Sequence, residues 1–166
     1  MEFVQATMRG DDRVGGRSRE EYDFEEQVGY LLRRAYQRNI AIFQRLCADP
    51  NLTSVQFAVL CVLVKYGPSS QSDIGRFAAI DPSTTKGVVD RLKDRGLVEL
   101  SDAKEDKRKN IVKITREGLA MFDRMGRIGL DITETTLRPL NPAERIALVY
   151  LLKKISDLSV DDLGSQ

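Results

Sequence analysis

The chain has 166 residues, 42% of them apolar and 31% charged, with a formal net charge of +1, which suits one or two small globular domains and confines any nucleic-acid footprint to a local patch. There is no histidine, which removes Ser-His-Asp and Cys-His catalysis and histidine metal sites, and the two cysteines, Cys47 and Cys61, have the spacing of neither a disulfide framework nor a zinc site. No segment approaches a membrane span and MEFVQATMRGDD lacks a signal-peptide pattern, so no membrane partner, no cofactor and a cytoplasmic location are expected.

In chain order, residues 1–23 carry DDR, GG and REE clusters with too little apolar content to pack, and are read as a flexible arm. From Phe24 to Leu46 the residues Phe24, Val28, Leu31, Leu32, Ala35, Phe43 and Leu46 recur at helical spacing, which predicts one long amphipathic helix ending at the CADPN turn. Thr53 and Gln56 then form a capping box, with Leu52 and Phe57 spaced as a hydrophobic staple, for a second, nearly all-apolar helix from Ser54 to about Tyr66. Gly67 and Pro68 stop it. Ser70 and Asp73 start a short third helix through Phe77, and Asp81 with Pro82 starts a fourth.

The fourth helix has an apolar strip at Val88, Val89 and Leu92, a glycine stop at Gly96, and Ser83, Thr84, Thr85 and Lys86 in its first turns. Two short helices with small polar side chains opening the second have the layout of a helix-turn-helix, although local sequence alone fits a well-capped solvated helix start equally. Leu97–Leu100 and Ile111–Ile114 read as strands around the charged loop SDAKEDKRKN, and Lys107, Arg108, Lys109, Lys113 and Arg116 run without an acid among them. Thr115 opens a fifth helix to about Thr136; Asn141, Pro142 and Glu144 cap a last one that is apolar on more than one face, through Ile146, Leu148, Val149, Leu151, Leu152, Ile155 and Leu158. A chain this small cannot cover all of that surface, so a partner subunit is expected.

The block DPSTTKGVVDRLKDRGLVEL, the D-x-R at Asp106 and Arg108, and the ITREG run at Ile114–Gly118 resemble the MarR family of transcriptional regulators from about Phe24 to Leu158. The fold class this implies is mainly α with a small β-hairpin: a winged helix-turn-helix (51–115) between an N-terminal dimerisation helix (24–50) and C-terminal dimerisation helices (116–166). The resemblance further implies a homodimer on a pseudo-palindromic operator in double-stranded DNA. Ser83, Thr84, Thr85 and Lys86 fall on its base-reading helix, Arg108 on its minor-groove wing residue and Asp106 on the acid that orients it; Ser70, Gln71, Arg91, Lys107 and Lys109 complete the candidate DNA contacts. The chemistry suits those roles, since threonine methyls meet thymine methyls, lysine reaches guanine, and arginine favours a narrow minor groove. Gly87 and Leu100 stand where many relatives carry arginine, so operator preference does not transfer.

The same resemblance places an effector pocket between the dimer helices and the winged helix, and the T-x-x-G-V-V variant resembles members that control catabolism of aromatic acids. Arg34, Tyr36, Arg38, Asn39 and Phe43 are the candidate contacts for a small aromatic acid or its thioester: aromatic walls, a directed amide and a guanidinium for the carboxylate. A backbone carbonyl or a residue of the other subunit is the alternative partner for Asn39. A ligand-released repressor is the function expected; a thiol-based redox sensor and a winged helix that binds protein instead of DNA are the alternatives.

Overall fold

The computed structural model describes residues 13–14, 17–18, 22–102 and 110–156. Two short strands, β1 (Arg13–Val14) and β2 (Arg17–Ser18), pair antiparallel within the segment expected to be an arm. Six helices follow, α1 (Val28–Leu46), α2 (Ser54–Tyr66), α3 (Gln71–Ala78), α4 (Pro82–Asp94), α5 (Arg116–Leu137) and α6 (Pro142–Ser156), with β3 (Ser69–Ser70), β4 (Val98–Asp102) and β5 (Asn110–Ile114) interleaved. The chain divides into two units, Met1–Gln37 and Arg38–Gln166, and the division falls within α1.

In the first unit the helix expected from Phe24 begins later. Asp23 accepts a hydrogen bond from Glu25 N and caps a short 3-10 turn, Phe24–Glu26; Gln27 is extended, at φ −75° and ψ 133°, and separates that turn from α1. Phe24 packs edge-on to Tyr30, ring centroids 4.9 Å apart, and the Arg34 guanidinium lies 5.8 Å from the Tyr30 centroid.

In the second unit α2 is central, as its composition predicts. Thr53 and Gln56 exchange both hydrogen bonds of the capping box, and Val59, Leu60, Val62 and Leu63 are buried. Ile74 of α3, Val88, Val89 and Leu92 of α4, Val98 and Val112 of the hairpin, and Met121, Met125 and Ile132 of α5 complete the core. β4 and β5 pair antiparallel with Val98 opposite Ile114 and Leu100 opposite Val112, each strand slightly longer than its apolar run. β3 was not legible in the sequence: it adds Ser69 and Ser70 to the free edge of β5, opposite Val112 and Ile111, and gives the sheet the order β3-β5-β4.

α6 starts at the predicted cap, where Asn141 and Glu144 bond each other's backbone N–H groups at 2.8 and 3.0 Å. It buries no residue in the single chain, and Ile146 is 74% exposed. α1 buries only Phe43 and leaves Val28, Leu31, Leu32 and Leu46 exposed. No helix among the described residues is long and apolar enough to cross a membrane.

Candidate nucleic-acid interface and adjoining cavity

The presentation of α4 is set by its contact with α3. Ala79, in the left-handed region at φ 52°, turns the chain sharply between them. A β-carbon on Gly75 would lie 2.9 Å from Thr85 Oγ1 and 3.0 Å from the Ile80 carbonyl, so only glycine lets the helices approach this closely. That approach decides which way α4 faces. Thr85 is 1% exposed, and its hydroxyl donates to the Asp81 carbonyl at 2.9 Å. The expectation that Thr85 reads bases is therefore corrected: it is a core residue holding the first turn.

Ser83, Thr84, Lys86 and Arg91 are exposed on α4, with the Arg91 guanidinium lying across Gly87. Asp81 accepts from Thr84 N at 2.9 Å and from the Ser83 hydroxyl at 2.6 Å, bonds that hold its carboxyl far below the usual carboxylate range. Because Pro82 has no N–H and Asp81 engages Thr84 N by its side chain and Thr85 N by its carbonyl, the first turn offers little backbone to a phosphate. At α3, Gln71 is partly exposed, whereas the Ser70 hydroxyl is committed to the cap: it accepts from Asp73 N at 3.1 Å and donates to the Asp73 carboxylate at 2.7 Å. Asp106, Lys107, Arg108 and Lys109 lie outside the described residues.

The base of the hairpin is fastened to the end of α4. Gly96 has φ 68°, the left-handed stop its position predicts. Thr115 caps α5 by accepting from Gly118 N at 3.1 Å, donates its own hydroxyl to the Gly96 carbonyl at 2.7 Å, and donates its backbone N–H to Leu97 O at 3.1 Å. A β-carbon on Gly118 would overlap that Leu97 carbonyl. The ITREG run thus joins α4, β4, β5 and α5 at one point.

Behind this surface an open cavity of about 470 Å³ is lined by residues of α1 (Asn39, Phe43), α2 (Ser54, Phe57, Ala58, Cys61, Val62, Lys65, Tyr66), α3 (Phe77) and α5 (Gly129, Ile132, Thr133). Asn39 and Phe43 stand there as expected. The Asn39 amide nitrogen donates to Thr136 Oγ1 at 3.0 Å, and Thr136 donates on to the Ile132 carbonyl, so the partner of Asn39 is a side chain of the same subunit. Arg38 lines a different cleft of about 500 Å³ with Arg45, Thr135 and Arg138. Arg34 and Tyr36 belong to the first unit. The cavity's charged residue is Lys65, which the sequence reading missed; its signal was a lone cation closing an otherwise apolar helix, one turn after Cys61. Burial pushes the Cys61 thiol up, away from the reactive thiolate, and the Cys47 thiol contacts the Asp49 carbonyl at 3.2 Å and the Met125 sulfur at 3.7 Å.

Known proteins match this architecture. A profile of the MarR family matches residues 52–109. The chain is 49% identical to the HTH-type transcriptional repressor NicR of Pseudomonas putida over 136 residues, covering 82% of this chain and 86% of NicR. It is 48% identical to Bordetella bronchiseptica BpsR, whose structure concerns regulation of DNA binding by 6-hydroxynicotinic acid, with a TM-score of 0.78 over 83% of this chain and 99% of that one. A mutant Escherichia coli MarR complexed with operator DNA is 25% identical, with a TM-score of 0.72 over 81% of this chain and 99% of that one. With a helix-turn-helix and adjoining hairpin in the family's matched segment and about half of its residues shared with NicR over 82% of its length, the chain belongs to the MarR family of winged-helix transcriptional regulators.

Proposed function

We propose that the protein is a homodimeric repressor of a catabolic operon that leaves a pseudo-palindromic operator when a small aromatic acid binds. The observation that carries this reading is the cavity: its lining joins Phe77, on the helix that backs α4, to residues of α1 and α5 outside the helix-turn-helix. A ligand there touches both the elements that set half-site spacing and the element that supports the reading helix. Ser83, Thr84, Lys86, Gln71 and Arg91 contact DNA, with the wing residues Asp106, Lys107, Arg108 and Lys109 on the flanks. Apolar side chains left exposed on α1 and α6 support subunit contact through helices flanking the winged domain. BpsR supports the effector class, since its DNA binding is regulated by 6-hydroxynicotinic acid, and NicR, a transcriptional repressor, supports repression.

Release requires that the acid bind one dimer geometry better than the other, because equal affinity for both shifts nothing. A gel shift on the DNA upstream of the protein's own gene, titrated with 6-hydroxynicotinic acid and benzoic-acid analogues, tests the reading. The DNA is shifted without acid and freed by at least one of them. DNA that is never shifted sinks the proposal; DNA freed by peroxide and by no acid replaces the ligand with a thiol switch.

A further inference from the structure

The cavity's walls are mostly hydrocarbon, including Phe43, Phe57, Val62 and Ile132, and its charged lining residue is Lys65. The Lys65 ammonium lies 5.0 Å from the centroid of the Tyr66 ring. Tyr66 in turn stacks on Phe77 of α3, centroids 4.1 Å apart and planes within 12°. Among the described residues no carboxylate forms an ion pair with Lys65. The arginines at hand, Arg38 and Arg45, line the other cleft.

We propose that Lys65 is the anchor for the effector's carboxylate, a proposal that rests on reading this cavity as the effector site. A flat acid places its ring against Phe43 and Phe57, where burial of apolar surface favours it, and its carboxylate toward the ammonium at the Tyr66 end. Asn39 Oδ1 accepts from a ring hydroxyl or N–H. A single cation matches a single carboxylate, so monocarboxylates are preferred over neutral amides and over dicarboxylates, whose second charge would be desolvated without a partner. Because the ammonium leaves a face of Tyr66 to meet the acid, and Tyr66 is stacked on Phe77, the anchor also bears on α3, the helix whose Gly75 sets the position of α4.

The test is calorimetric binding of 6-hydroxynicotinic acid and its carboxamide to the full-length protein and to its Lys65→Gln and Lys65→Arg variants. Lys65 is exposed, so substitution leaves the core intact. The unmodified protein is expected to prefer the acid by roughly tenfold or more, and Lys65→Gln to abolish that preference by weakening the acid about 10- to 100-fold while the amide changes by less than about threefold. Lys65→Arg keeps most of the preference. An acid preference that survives Lys65→Gln and both arginine variants overturns the anchor and leaves the cavity as the effector site; one that disappears in Arg38→Gln or Arg45→Gln instead moves the effector to the other cleft and overturns both. Failure of the unmodified protein to bind either compound overturns both.

Discussion

Arg95, the C-cap of the recognition helix, grips the turn between α1 and α2: one guanidinium nitrogen donates to the Asp49 carboxylate and the other to the Asn51 carbonyl at 2.8 Å. The side chains are only 26% and 23% exposed, so the pair is shielded from bulk screening. It ties the reading helix to the end of α1 by a route that bypasses α3.

Burial alone would raise the Asp49 carboxyl, but the Asn51 N–H and the Arg95 guanidinium outweigh it and hold the group below its ordinary value, with Arg124 adding at longer range. A carboxyl depressed in the folded state contributes stability that is complete above its unfolded pKa and lost as pH falls through the folded one. Asp49→Asn should therefore destabilise the protein by about 1–3 kcal/mol at neutral pH, between the values for exposed and buried pairs, and the deficit should shrink below about pH 4. Urea unfolding of both proteins from pH 7 to pH 3 measures it; a deficit independent of pH would remove the ion pair from the account.

Gly75→Ala should destabilise by about 1–3 kcal/mol, the usual cost of overpacking, because the new methyl meets Thr85 Oγ1 and the Ile80 carbonyl. Thr85→Val keeps the shape and removes one hydrogen bond, a loss of about 1 kcal/mol, and should leave operator sequence preference unchanged. A Thr85→Val protein that is fully stable but selects a different base would show that this side chain faces outward.

Thr84 and Lys86 should behave in the opposite way. Replacing either shifts base preference by about 1–3 kcal/mol at a defined operator position with little effect on stability, because both are exposed. Arg108→Ala should instead weaken binding to all operator variants and flatten the dependence on salt by about one unit for each phosphate it ceases to neutralise. Binding curves on an operator library at two salt concentrations separate the two behaviours; a uniform loss from Lys86→Ala would reassign it to the phosphate backbone.

Removing the chain from Asn141 onward deletes a helix with no buried residue in the single subunit. The expected product sediments as a monomer or aggregates, and shifts operator poorly because two half-sites are no longer held together. A truncated dimer with normal affinity would place the subunit contact elsewhere.

What the sequence disclosed was what neighbouring residues decide among themselves. The caps at Thr53, Asp81, Thr115 and Asn141 are contacts over three residues, and all four form. Gly96 stops α4 by backbone geometry alone. Features settled by distant chain segments were invisible: β3 exists because Ser69 and Ser70 meet Ile111 and Val112, and Thr85 turns inward because α3 offers a glycine opposite it. For the same reason Arg38 looked like a cavity residue beside Asn39, whereas adjacent positions on a helix point about 100° apart and these two serve different clefts.

The inward turn of Thr85 splits the recognition helix lengthwise into two functions that mutation can address separately. Val88, Val89 and Leu92, with Thr85, answer only to the interior, while Thr84, Lys86 and Arg91 are exposed, as is Ser83, whose hydroxyl also bonds the Asp81 cap. A gene duplicate of this protein could therefore drift at the outer positions toward a new operator without passing through an unfolded intermediate. Thr85, held against Gly75, is the position in the first turn that such drift cannot use.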